Sequence, residues 1–267
     1  MAKSKVTKRT VLLATLVGAA ILLLWVSYEA LYKKASIRPT LIVFAIVFPL
    51  VAIYMFIEFK VRGRSSRKRA NALKKNAALT GYSFNEDPDE SLFSSLLPGF
   101  ELFTLREGPW YEFVNYMEGE AGGRGVVIFD YGYQIEKYSG DNIGYKRVFN
   151  TICILNQDSR DLPSFKLRSK GIKDKLRDKV GLHDIDPGND PEFAKHCWLT
   201  GSDEEAVREL FTPAVTQAFR DGRALHDTVI EGAGSRLMYY HIGRIPPKGL
   251  TDFIFRAGEI SRLFDQA

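Results

Sequence analysis

Two histidines, three aspartates, a glutamate and a cysteine fall within His183-Asp-Ile-Asp186-Pro-Gly-Asn-Asp190-Pro-Glu192-Phe-Ala-Lys-His196-Cys197. Imidazole, carboxylate and thiolate are the groups that hold zinc and similar ions, so His183, Asp186 and His196 are the candidate ligands of a metal-dependent hydrolase. Their spacing fits no common metal pattern. Asp-Pro-Gly and Asp-Pro are also ordinary turn chemistry, in which an aspartate caps its own backbone. The expectation is therefore a structural loop without metal or cofactor, with the hydrolase as the alternative. His226, beside Asp227, and His241 stand singly on predicted strands. No Gly-x-Ser-x-Gly elbow, His-Glu-x-x-His pair or Cys-x-x-Cys pair occurs, which lowers the case for an enzyme.

A second feature is electrostatic. From Lys166 to Lys179 the chain holds seven basic residues against Asp174 and Asp178. Read as a helix, this stretch puts Lys170, Lys173 and Arg177 on one face, either solvated or turned to a membrane surface or an acidic partner.

The elements that must position these groups are strands first and helices later. Glu101–Arg106, Trp110–Met117, Val126–Tyr133 and Tyr145–Leu155 read as strands of an antiparallel meander joined by polar or glycine-rich turns. Ser202-Asp-Glu-Glu205 reads as a capping box, with Ser202 as N-cap of a helix that Thr212-Pro213 interrupts. A short helix to Phe219, strands near 225–231 and 237–242, and a terminal helix after Pro246-Pro247 complete the series. Leu250, Phe253, Ile254, Ala257, Ile260, Leu263 and Phe264 form that last helix's apolar face. Cys153 and Cys197 are too few for a disulfide framework.

Ahead of this α+β region, residues 10–28 and 39–57 are two uncharged runs of nineteen. At 1.5 Å per residue each spans about 28 Å, the thickness of a bilayer's hydrocarbon. A cleaved signal peptide fits less well, since the first run is long and lacks a clear cleavage site. The sequence thus predicts a membrane protein: a transmembrane hairpin over 1–59, a basic juxtamembrane helix or linker over 60–81, and an α+β domain with mainly antiparallel sheet over 82–267. Lys60, Arg62, Arg64, Arg67, Lys68 and Arg69 follow the second run. By the positive-inside rule they place both termini in the cytoplasm of a bacterial inner membrane, and anionic lipid is their expected contact. The whole chain carries +5, but residues 1–76 hold fifteen Lys/Arg against Glu29 and Glu58, or +13. The remainder is then −8, which argues against nucleic acid as a partner.

Asp190-Pro191-Glu192-Phe193-x-Lys195, Gly201-x-Asp203, Arg208 and Thr212-Pro213 together resemble the signature of an uncharacterised bacterial family of membrane proteins. The resemblance covers Asp190–Pro213 and departs from the pattern before the arginine, where Glu205-Ala206 sits one place early. It implies a cytosolic part of unknown function following hydrophobic spans and brings no activity or cofactor with it. The functional expectation is a non-catalytic inner-membrane protein that presents a cytosolic interaction, scaffold or regulatory domain to a protein partner or to itself.

Overall fold

The computed structural model describes residues 66–139, 142–157, 161–172, 183–188, 190–220, 222 and 225–266. The two apolar runs lie outside the described residues. Among the described residues no helix is long and apolar enough to cross a membrane. The chain divides into two compact units, Met1–Ser66 and Arg67–Ala267, and the second carries the sheet.

Its first element, α1, covers residues 66–80 and stops at Gly81, whose φ of 76° is open to glycine at little cost. Ala70, Leu73 and Ala77, at helical spacing, are buried. Patterning assigns this helix to a linker, but its apolar stripe makes it a wall of the domain's own core. Among the described residues eight strands come after it: β1 (Ser83–Asn85), β2 (Tyr111–Ala121), β3 (Arg124–Ser139), β4 (Asn142–Asn156), β5 (Leu162–Ser169), β6 (Cys197–Gly201), β7 (Thr228–Gly234) and β8 (Arg236–Ile242). They form one antiparallel sheet in the order β1-β2-β3-β4-β8-β7-β5-β6. The helices are α2 (Pro191–His196), α3 (Glu204–Leu210), α4 (Pro213–Phe219) and α5 (Leu250–Asp265). The α+β class with an antiparallel sheet is as the patterning implies.

Alternation along the strands sends side chains to two separate cores. Val126 and Ile128 of β3 join Leu155, Leu167 and Ile230 in a core under the helices that also takes in Leu73 and Ala77 of α1, Phe253 and Phe264 of α5, and Phe211 and Phe219. Phe129, Tyr131 and Tyr133 face the other way, against Phe93, Phe100 and Leu102 of the segment between β1 and β2. That second core is aromatic: Phe93 stacks on Phe113 at 4.2 Å, and Phe113 stacks on Tyr131 at 5.0 Å. Both faces of the central strands are covered, so their sequences read as nearly unbroken apolar runs.

Three local expectations are corrected. Glu101–Arg106 is no strand: Glu101–Thr104 is a 3-10 turn that lays Leu102 onto the aromatic core. The basic stretch does not begin as a helix, because Lys166 and Arg168 belong to β5 and a 3-10 turn comes next at Lys170–Ile172. The cap of α3 is Asp203, whose carboxylate accepts from the Ala206 N–H at 3.1 Å; Ser202 follows β6 and donates its N–H to the Ser164 carbonyl at 3.2 Å instead.

Candidate functional site

The candidate metal ligands do not assemble. His183 and Asp186 are exposed, and Asp186 spends one carboxylate oxygen on the Gly188 N–H at 2.8 Å, an Asx turn. His196 lies on α2, 3.5 Å from Glu192. Among the described residues no group of three His, Cys, Asp or Glu side chains is placed to hold a metal ion. These three residues therefore provide no ligand set for a hydrolase.

The stretch Asp190–Pro213 is a folding unit. Asp190 is the N-cap of α2, accepting from Glu192 N and Phe193 N at 3.0 and 3.3 Å, with Pro191 in the first turn. Arg220 donates to its other oxygen at 2.8 Å, which, with the backbone donors, holds the carboxyl below the ordinary aspartate range. Phe193 is buried against Phe211, while Lys195 and Glu192 form an exposed pair at 3.7 Å. Gly201 sits where a Cβ would lie 2.7 Å from Val207 and 2.8 Å from the Ser164 carbonyl. Arg208 bonds Glu204 and the Asp186 carbonyl, and Thr212-Pro213 opens α4. Each residue of the signature thus has a positional reason, and Gly201 also lines the cleft beside Glu231.

Of the basic residues, Lys60, Arg62, Arg64, Lys173 and Arg177 lie outside the described residues. Arg67 and Lys68 are exposed on α1. Lys170 bridges to Asp184 at 2.7 Å and so is committed within the domain. Arg69 is the exception to its expected role as a lipid contact. Its guanidinium is turned inward, 11% exposed, and grips Asp130 through two bonds of 2.7 and 2.8 Å.

Asp130 is a hub that no sequence motif marks. It stands on β3 on the helix-covered face, where the next residue of the alternation would be apolar. Its two oxygens also accept from Asn115 Nδ2 at 2.8 Å and from Thr151 Oγ1 at 2.9 Å. Asn115 reaches it because β2 bulges between Val114 and Met117, with Asn115 at a φ of 58° that asparagine tolerates. Arg69 donates further to the Ile245 carbonyl, and Arg244 stands 3.6 Å away. A buried pair satisfied in this way is stable as a set, and removal of either member leaves an uncompensated charge.

A second buried acid lies on the other face. Glu231 of β7 is 1% exposed and opposes Lys166, 4% exposed, across the β5–β7 ladder. One Glu231 oxygen accepts from Glu101 N at 2.6 Å and Leu102 N at 3.4 Å, and so caps the 3-10 turn from outside it. Lys166 Nζ donates to the Glu101 carboxylate at 3.1 Å. Burial pushes the Glu231 carboxyl up to about 7, against the pull of Lys166. The cleft above holds about 260 Å³ and is edged by Thr104, Ser164, Thr200 and Ser202. That is under the roughly 300 Å³ at which organic-ligand sites begin. Its polar groups dock the Glu101–Thr104 turn on the sheet.

No protein-family model and no curated protein matches this chain. Among solved structures it is similar to the crystal structure of the mycobacterial trehalose monomycolate transport factor A, TtfA. The match has a TM-score of 0.52 at 12% identity and covers 74% of this chain and 94% of that chain. At that identity the likeness is one of fold.

Proposed function

We propose that this chain is a membrane-anchored accessory protein. Residues 10–28 and 39–57 form a transmembrane hairpin in a bacterial inner membrane, with both termini cytoplasmic. The sheet domain is then a non-catalytic platform for a membrane-embedded partner. Membership of the uncharacterised membrane-protein family resembled over Asp190–Pro213 is part of this reading.

The observation that supports it most is the Arg69–Asp130 clamp. Only eleven residues separate Ile57, the end of the second apolar run, from Arg69. A chain that short reaches about 40 Å even when fully extended, so a domain fastened at Arg69 stays near the bilayer. The fold likeness to a transport factor favours an accessory role in transport. That His183, Asp186 and His196 form no ligand group among the described residues favours this reading over the hydrolase alternative.

Membrane fractionation with reporter fusions tests the reading. The full chain is expected to stay with membranes through an alkaline carbonate wash, and a reporter joined after Leu79 to behave as cytoplasmic. Release by carbonate, or a periplasmic reporter signal, would overturn it.

A further inference from the structure

The aromatic core stops short of two strands. It takes in Val229 and Ala233 of β7 but, among the described residues, no side chain of β5 or β6. On that uncovered stretch the ladder sets Thr200 of β6 opposite Lys166 of β5, and Lys166 opposite Glu231 of β7. Residues two apart along a strand share a face, so Ser164 and Ser202 come to stand beside this row. With Phe100 and Thr104 of the overlying segment they line the cleft of about 260 Å³.

Docking of the Glu101–Thr104 turn uses only part of this chemistry. It engages Glu231, Lys166 and one Glu101 oxygen, and the Thr104 hydroxyl donates to the Glu101 carbonyl at 2.8 Å. Thr200 is different. It is 4% exposed and lines the cleft, yet among the described residues its hydroxyl has no hydrogen-bond partner. A buried hydroxyl is costly to leave unpaired, so a group entering from solution that bonds it gains by doing so. Ser164 and Ser202 are exposed at the mouth, and their hydroxyls too have no partner among the described residues.

Charge selects the ligand class. Glu101 and Glu231 oppose an anion in the cleft and Lys166 opposes a cation, so a neutral group is favoured over either. The set offers an ammonium that donates, hydroxyls that both donate and accept, and a second Glu101 oxygen that receives no donor among the described residues. Neighbouring hydroxyls match it: one donates to the Glu101 carboxylate while the next accepts from Lys166 or Thr200. Phe100 supplies a wall for the C–H edge between them. The cleft is too small to enclose a drug-sized molecule, but its mouth at Thr104, Ser164 and Ser202 is exposed. An occupant therefore puts one end group inside and leaves the rest in solvent. We propose that this cleft binds the vicinal-diol end group of a sugar or other polyol, held by Lys166, Thr200 and Glu101. The site needs neither the hairpin nor the membrane, so it stands or falls apart from the function proposed above.

Saturation-transfer NMR on the full chain, held in a sugar-free amine-oxide detergent, tests it with glucose, glycerol, hexyl glucoside and acetate as probes. Transfer is expected to glucose and glycerol and to be weak or lost for acetate. Thr200→Val keeps the shape and removes no hydrogen bond within the protein, so its melting temperature should equal or exceed the parent's. Its affinity for glucose should fall at least about fivefold, and Thr200→Ser, which restores a hydroxyl, should recover it. Ser202→Ala, at the exposed mouth, should weaken binding about twofold and carries the test if Thr200→Val fails to fold. Transfer to hexyl glucoside alone, lost in Thr200→Val, supports the site and names a lipid headgroup as its source; transfer to glucose as well names the free sugar. Undiminished transfer in Thr200→Val, or in Ser202→Ala where that variant stands in, places the sugar elsewhere and overturns the site. Acetate binding as strongly as glucose overturns the ligand class, and no transfer to any diol from a cooperatively folded chain overturns the proposal outright.

Discussion

Glu231 and Asp130 are both buried carboxylates on strands, compensated to different degrees. Asp130 receives donors from three side chains, one of them a guanidinium at 2.7 Å. Glu231 has two backbone N–H groups, the Tyr240 hydroxyl at 3.3 Å, and a lysine engaged by Glu101. Burial outweighs these and lifts its carboxyl from an ordinary 4.5 to about 7. The folded state thus binds this proton more tightly than the unfolded one. The group's contribution is most favourable below about pH 4.5, declines as pH rises to about 7, and is level beyond, a change on the order of 3 kcal/mol. Glu231→Gln removes the titration while Lys166 keeps Glu101. Urea unfolding at pH 5 and pH 8 should therefore show the variant gaining on the parent at the higher pH by about 1–3 kcal/mol. An equal pH dependence in both proteins would show that Glu231 carries no such penalty.

At the scale of elements, caps and periodicity are the legible part. The terminal helix is where its 3.6-residue stripe puts it, and β3 and β4 are where branched and aromatic residues cluster. Misreadings fall where a distant partner overrides the local pattern. Lys166 and Arg168 look solvated in sequence, yet Glu101 and the Trp198 ring, at 4.6 Å, let them be buried on a strand. Glu101–Thr104 looks like a strand because a short apolar pair fits either period; Glu231, 130 residues away, caps it into a turn. Asp130's partners lie from 15 to 61 residues off for Asn115, Thr151 and Arg69, beyond any local motif. The cap of α3 stands one residue from its expected place, since Ser202 and Asp203 both suit the position and only geometry selects between them. Asp203→Ala should cost about 1 kcal/mol and Ser202→Ala a few tenths. Thermal unfolding of the two variants separates the assignments; a larger loss from Ser202→Ala would reverse them.

On the scale of the molecule, the boundary of the domain changes its electrostatics. Counted from residue 77, the rest of the chain is −8; counted from Arg67, where the compact unit begins, it holds 27 basic residues against 30 acidic ones, or −3. The difference is the five cations of α1, and one of them, Arg69, neutralises a core carboxylate. The helix is thus part of what the domain needs in order to fold. A chain of residues 67–267 keeps the α1 stripe of Ala70, Leu73 and Ala77, the Arg69–Asp130 pair and the Asn76 bond to the Pro247 carbonyl at 2.7 Å. A chain of residues 82–267, the domain as patterning alone would delimit it, loses them all. Asp130 left without Arg69 costs about 3–5 kcal/mol, and the uncovered side chains of the sheet and α5 add to it. Since domains of this size are stable by only about 5–15 kcal/mol, that loss takes most of the margin. The longer chain should unfold in one cooperative transition, and the shorter should melt broadly and bind a hydrophobic dye at room temperature. Supplying residues 66–80 as a separate peptide should partly restore the transition, and a peptide with Arg69→Met should not. Two chains of equal stability would return α1 to the role of a linker.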